Sequence, residues 1–476
     1  MPNHCLKVAR GLLNQGRLNG DRLRRKSLLA DLEVPDGTFR SAGETIGAKQ
    51  GKAGLRFFDS SVDGRLAFGP GAGLVVGVSV GTESLRAAVV DANGWIRADQ
   101  ECAPMSGQLT AHRGVVLGRI REAVGAVLAK AYTKPELLVE RALPLLGVAV
   151  AWPAPVDRRR RAVGHALAHA SWGGGQPLDG HVRQTLGIKN LKASFALNDA
   201  HAAAIGEAHR VTHSRGYESW DFPRLTIVLR LAGAIGGAVI VIEPPEDRRR
   251  GRPTEQRRRA GFQDSILLAG FDNHAGELGH VPIDPAFVTE LNRGRPRGLR
   301  KLEARHCTCT PEREPVPDHV EAYASAMSLA ARLDPRRPMH EVMVDVLRNP
   351  GTKVNARALS DAGALVAQAL VAPVAVLNPA RVALTGSMAI EPVRAEIETR
   401  LQREHRFGDM PEVDAIPEPE NRYIRAQGAA LALLRIHVHR ELHTLLPDDK
   451  AAMTDQIEGL TTRIDDAAIQ RLSRMR

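Results

Sequence analysis

Aromatic residues are scarce: Trp, Tyr and Phe together make up 4% of the 476 residues. A groove that stacks single-stranded nucleic acid needs aromatic platforms, so that class is disfavoured. Cysteine is scarce too, with Cys5, Cys102, Cys307 and Cys309 as the full set. Four scattered thiols do not make a disulfide framework, and a reducing, cytoplasmic setting is expected. The N-terminus has no apolar core of signal-peptide length. No uninterrupted apolar run of membrane-spanning length stands out either. The most apolar stretch, 225–242, is broken by Arg230 and by glycines, so two strands around a turn are expected and no membrane partner. Acidic residues are short relative to basic ones, 54 against 65, for a formal charge of +11. A basic balance suits a polyanionic partner without bearing on the fold.

What is present is length and ordinary apolar content, enough for two or three domains. Residues 1–70 differ from the rest. Positions 1–60 hold eleven basic and six acidic residues, and the apolar pattern is helical. Leu6, Val8, Leu12 and Leu13 give a first helical face, Asp21 can cap a second helix through Leu32, and Pro35-Asp-Gly37 makes a turn. A third helix is expected from Thr38 toward Lys49. Leu55-Arg-Phe-Phe and Arg65-Leu-Ala-Phe then flank Asp63-Gly64, a hairpin signal. Three helices and a hairpin, in that order, predict an N-terminal winged helix-turn-helix that binds double-stranded DNA. Arg40 and Lys49 are expected on the recognition helix, and Arg22, Arg24, Arg25 and Lys26 near backbone phosphates.

Pro70-Gly-Ala-Gly73 suits a linker. Strands are expected at 74–80 and 85–90, and alternating strand and helix patterns continue to about residue 440, an α/β architecture. The apolar hairpin near 227–242 repeats the first, which suggests two lobes around a cleft, 74–200 and 201–446. Arg-rich tracts at 158–161 and 248–259 suit solvated insertions. In the tail, 447–476, Ile457, Leu460, Ile464, Ala468 and Leu472 recur at helical spacing.

The most specific chemistry lies late in the chain. Cys307-Thr-Cys309 is followed by His319-Val-Glu321-Ala-Tyr323, and Glu277-Leu-Gly-His280 lies upstream. Two thiolates and two imidazoles, from His280, Cys307, Cys309 and His319, suit a closed tetrahedral zinc site, with His306 as a substitute for His319. Asn198-Asp199 precedes an Ala-rich run, which also suits a helix N-cap.

With these segments the chain resembles the ROK family of sugar kinases and sugar-responsive repressors. Val78-Ser-Val-Gly-Thr-Glu83, Pro153-Ala-Pro-Val-Asp157, Leu197-Asn-Asp-Ala-His201, Ala232-Gly-Ala-Ile-Gly-Gly237, Glu277-Leu-Gly-His280 and the 307–323 segment follow the family's landmarks in order. The resemblance implies a two-lobed actin- or hexokinase-like body. It also implies zinc at His280, Cys307, Cys309 and His319, and a sugar or sugar-phosphate effector at Asn198, Asp199, Glu277, His280 and Glu321. In a kinase Asp199 would be the catalytic base, which makes an ATP-dependent sugar kinase the alternative function.

The departures favour the regulator branch. Ser79 stands where the family's kinases have an Asp, and Thr82-Glu83 replaces Gly-Thr. Ala232 and Ala234 replace glycine and glycine, and Gly386-Ser387 replaces Gly-Gly. An anionic Glu83 repels phosphates, and a Cβ at Thr82 obstructs close backbone approach. The expected protein is therefore a sugar-responsive, zinc-bearing DNA-binding regulator, a homodimer or homotetramer without efficient catalysis.

Overall fold

The computed structural model describes residues 23–24, 58–60, 65–68 and 73–445, apart from 82–83, 92–93, 103–112, 133–144, 158–161, 164–175, 188–192, 213–223, 243–264, 269, 271–274, 296–298, 306, 308, 310–315 and 405–407. Near the N-terminus, β1 (Leu23–Arg24), β2 (Phe58–Ser60) and β3 (Arg65–Phe68) form an antiparallel sheet of order β1-β3-β2. Phe58 pairs with Phe68 and Ser60 with Leu66, so the expected hairpin closes through residues 61–64. One expectation is corrected here. The helix drawn from Asp21 to Leu32 does not include Leu23 and Arg24, which are extended and pair with Leu66 and Arg65. A ladder partner satisfies their backbone groups where local pattern alone suggested a helix. Arg24 therefore stands on a strand. Arg22, Arg25, Lys26, Arg40 and Lys49, and the helices expected around them, lie outside the described residues, as do the Arg-rich tracts and the tail.

The body is built on two five-stranded mixed sheets. The first contains β4 (Leu74–Val80), β5 (Leu85–Asp91) and β6 (Ile96–Glu101). Helix α1 (Arg113–Tyr132) leads to β7 (Leu145–Trp152). A ribbon of β8 (Val156–Asp157), β9 (Ala162–Val163) and β10 (Gln176–Pro177) follows. Then come α2 (Leu178–Leu186), β11 (Ala193–Asn198) and α3 (Asp199–Thr212). The sheet order is β11-β7-β4-β5-β6, with β4, β5 and β6 an antiparallel meander and β7 and β11 parallel to β4.

The second sheet repeats the first strand for strand. It contains β12 (Arg224–Leu231), β13 (Ile235–Ile242) and β14 (Ser265–Leu268). A single 3₁₀ turn at Leu278–His280 precedes α4 (Pro285–Leu291), α5 (Val320–Ala324), α6 (Ala326–Leu333), α7 (Met339–Arg348) and α8 (Lys353–Leu377). Strand β15 (Arg381–Thr385), α9 (Glu391–Glu404), β16 (Glu412–Ala415) and α10 (Glu420–Leu445) complete the body. The order β14-β13-β12-β15-β16 again joins an antiparallel meander to two parallel strands.

The central strands of both sheets are covered on both faces, which is why β4, β7, β12 and β13 are largely apolar runs. Period-two alternation sends Val75, Ala88 and Val90 to one side of the first sheet, and Leu74, Val76 and Val78 to the other, against α1. Val228, Ala238 and Ile240 share the inner core with Val75, whereas Ile227, Leu229 and Leu231 face the core of α8 and α9. Helices α3 and α10 fill the space between the sheets. Their closeness depends on glycine: a Cβ on Gly428 would stand 1.8 Å from the Ala202 carbonyl oxygen, and one on Gly206 would stand 2.4 Å from that of Ile424. Helix α8 is the one helix among the described residues long and apolar enough to cross a membrane. It is instead a core helix, with 61% of its most apolar window buried. This layering brings the start of α3, strand β12 and α10 to one point.

Candidate effector and metal site

Asn198 ends β11 and caps α3. Its Oδ1 accepts from the backbone N–H groups of Ala200 (2.8 Å) and His201 (3.2 Å). The cap expected of Asn-Asp is thus supplied by Asn198, which frees Asp199 for other contacts. Asp199 is 3% exposed, with Oδ2 3.1 Å from Arg230 Nε and 3.3 Å from Arg425 Nη1. Arg230 and Arg425 were not among the expected site residues. The signal for Arg230 was in view, a lone cation inside an eight-residue apolar strand. Arg425 interrupts the small and apolar face of α10. The two guanidiniums hold the Asp199 carboxylate in charge-assisted contacts.

Glu277 faces Asp199 and Glu321. Burial first, then those two carboxylates, push Glu277 up to about 7. Glu321 is buried, and its Oε2 accepts from the backbone N–H of Ile235 at 2.8 Å, which ties it to the start of β13. Asn198, Asp199, Glu277 and Glu321 therefore gather on one side of the cleft. Hydrogen-bond acceptors and a carboxyl that carries a proton near neutrality suit a polyhydroxylated ligand.

His280 joins this group to a second one. Its Nε2 lies 3.8 Å from Glu277 Oε2, and its Nδ1 lies 3.4 Å from Cys307 Sγ. His319 Nδ1 stands 3.7 Å from Cys307 Sγ and 3.5 Å from Cys309 Sγ, and the two sulfurs are 2.9 Å apart. One donor atom from each of the four residues falls within 4.8 Å of all the others. Around zinc, with bonds of about 2.0–2.3 Å, tetrahedral donors stand roughly 3.5 Å apart. The nitrogen–sulfur distances already match, and the sulfurs would separate slightly on binding. Both cysteines are free thiols. Burial pushes the Cys307 thiol well above its ordinary value, and burial and His280 hold His319 below its own. A neutral imidazole is ready to ligate, and the buried Cys307 thiol needs a cation to ionise. His306 lies outside the described residues.

Beyond Arg230 the cleft opens into a cavity of about 430 Å³. Gly81, Ala232 and Gly386-Ser387 line it, so the three loop positions singled out from sequence meet there. Thr82 and Glu83 lie outside the described residues. Ser79, at the end of β4, is fully buried, and its Oγ has no hydrogen-bond partner. Arg86, Arg230, Arg422 and Arg425 also line the cavity. Arg86 is paired with Glu101 at 2.7 Å, and Arg422 lies 3.6 Å from Glu418.

Comparison with known proteins agrees with this architecture. The ROK family profile matches residues 261–432. No curated protein sequence matches the chain. Among solved structures, a ROK family transcriptional regulator described as a homolog of the E. coli MLC protein is similar over 93% of this chain and 99% of its own, at 12% identity and a TM-score of 0.58. A ROK family glucokinase from Streptomyces griseus, in complex with glucose and AMPPNP, is similar over 75% of this chain and 98% of its own, at 20% identity and a TM-score of 0.50. At these identities the likeness concerns the fold. Residues 261–432 thus carry a ROK family domain, within an α/β fold built on two mixed five-stranded sheets.

Proposed function

We propose that this protein is a DNA-binding transcriptional regulator whose ROK body senses a sugar or sugar phosphate and does not transfer phosphate. The observation that carries this reading is the arginine clamp on Asp199. A kinase needs that carboxylate to accept a hydroxyl proton beside a positioned phosphoryl donor. Here Arg230 and Arg425 occupy it, and the cavity behind them has Gly81, Ala232 and Ser387 at its loop positions. The sugar half is better kept. Asn198, Glu277, His280 and Glu321 would receive ring hydroxyls, and the four arginines around the cavity suit a phosphate.

The regulator half rests on the N-terminal sheet. Order β1-β3-β2, with a first strand added to a hairpin, is compatible with the sheet of a winged helix and supports that reading. The likeness to the ROK regulator also spans more of the chain than the likeness to the glucokinase. Zinc at His280, Cys307, Cys309 and His319 would hold Glu277 and Glu321 in place, since both flank proposed ligands. Its chemistry would be structural, because four protein donors leave no open position. A homodimer or homotetramer in the cytoplasm suits an operator with two half-sites.

The test is calorimetric titration of the full-length protein with a panel of sugars and their phosphates, beside an ATP-dependent turnover assay. Binding without turnover is expected, and Asp199→Ala should weaken the binding. Turnover of about one per second or faster would replace this reading with the kinase.

A further inference from the structure

Away from the cleft, the interior holds an unbalanced cluster of charge. Arg332, in the last turn of α6, is completely buried, and none of its three guanidinium nitrogens has a hydrogen-bond partner. The nearest acid is Asp361 on α8, with Oδ2 4.0 Å from Arg332 Nη1. That carboxylate is already engaged. Its Oδ2 accepts from Arg295 Nη2 at 2.5 Å, and its Oδ1 lies 3.0 Å from Arg357 Nε. Arg295 Nη1 donates to the Arg300 carbonyl and Arg357 Nη2 to that of Leu291. Each Nε lacks a hydrogen bond. Arg305, the other cation facing Arg332, is spoken for by Glu303 at 2.6 Å.

Three guanidiniums thus share one carboxylate, which leaves two positive charges without a counter-charge. Burial pushes Arg332 down to about 10, so it remains a cation at neutral pH. A buried charge without a partner is among the costliest arrangements a fold can hold. The N–H groups left over are the donors an anion takes.

We propose that Arg295, Arg332 and Arg357 hold a small inorganic anion of the chloride class between α6, α8 and the segment that follows α4. Side-chain exposures of 0% at Arg332, 1% at Asp361 and 7% at Arg295 bury the centre of the cluster, and Arg357, at 34%, forms its edge toward solvent. The anion staples that segment to the core. Asn292 and Leu302 are joined by two hydrogen bonds, Arg295 ties this region to Asp361 on α8, and Arg357 of α8 donates to the last carbonyl of α4 at Leu291. Cys307 follows shortly after, so the same staple steadies one arm of the metal site.

The test uses the full-length protein. Thermal unfolding is compared in sodium chloride and in sodium gluconate at equal ionic strength, and crystals grown in bromide are examined by anomalous scattering. Melting is expected about 2 °C or more higher in chloride, with a bromide peak among the three guanidiniums. Arg332→Met, which removes one charge at similar volume, should abolish the salt difference. If that variant does not fold, Arg357→Met serves, because Arg357 is partly exposed. Equal melting in the two salts, or density for water alone at the cluster, overturns the proposal.

Discussion

At Glu277 the carboxyl meets burial and two facing carboxylates, Asp199 and Glu321, and is pushed up to about 7. A raised folded value means that the fold favours the protonated acid. The stability tied to it is fully present below the ordinary glutamate value and is lost as pH rises through about 7. The raised value costs the ionised fold on the order of 3 kcal/mol. Urea unfolding of the metal-stripped protein at about pH 5 and pH 8 should therefore show a loss on the alkaline side that Glu277→Gln reduces. An unchanged difference in the variant would mean that other groups set the pH dependence. The carboxylates of this site were legible in the sequence because they sit in short landmark segments. Their arginine partners were not, since Asp199 and Arg425 are 226 residues apart and nothing local to either residue announces the contact.

The elements show the same division between local and distant information. Strands β4, β5, β12 and β13 were readable because an apolar run of fixed length, punctuated by a turn, suffices to specify a doubly covered strand. The strand at Leu23–Arg24 was hidden, because two residues carry no period of their own and the pairing partner lies in β3. The close contact of α3 with α10 was hidden as well, since a glycine in an Ala-rich helix looks merely permissive. It leads to a contrast. Gly428→Ala drives a Cβ into the Ala202 carbonyl, whereas a Cβ on Gly118 in α1 meets nothing within 4 Å. The first should destabilise by about 3 kcal/mol or more. The second should stabilise by about 0.5–1 kcal/mol, through helix propensity and a stiffer unfolded chain. Urea midpoints of the two variants decide it, and equal midpoints would show that the helix pair is loosely packed. The metal-bearing elements make a further prediction. The 3₁₀ turn brings His280, and His319 is the residue just before α5. If zinc joins them, elemental analysis should find about one equivalent per chain. Cys307→Ser with Cys309→Ser should remove it and lower the melting temperature. A wild-type protein that is folded and metal-free would sink the zinc reading.

For the molecule as a whole, the proposed regulator would bring its basic N-terminal segment to duplex DNA, and the cleft would take the signal that controls it. The excess of positive charge is concentrated early, with eleven basic and six acidic residues in positions 1–60. If that segment neutralises about four to six phosphates, the logarithm of affinity should fall with the logarithm of salt at a slope of roughly −4 to −5. Arg24, on a strand beside the hairpin and not on a helix, is the residue proposed to meet backbone phosphates. Replacing it should weaken all sequences alike, whereas replacing Arg40 should relax sequence choice. The deciding comparison is a genomic footprint of the full-length protein beside one lacking residues 1–70, each with and without the sugar that calorimetry identifies. Loss of occupancy on truncation is expected, together with a ligand-dependent change in the full-length protein alone. A ligand can shift such an equilibrium only by as much as it prefers one state of the body, so the change in occupancy should scale with the measured affinity. Equal occupancy by both proteins would assign DNA contact elsewhere, and the regulator reading would lose its main support.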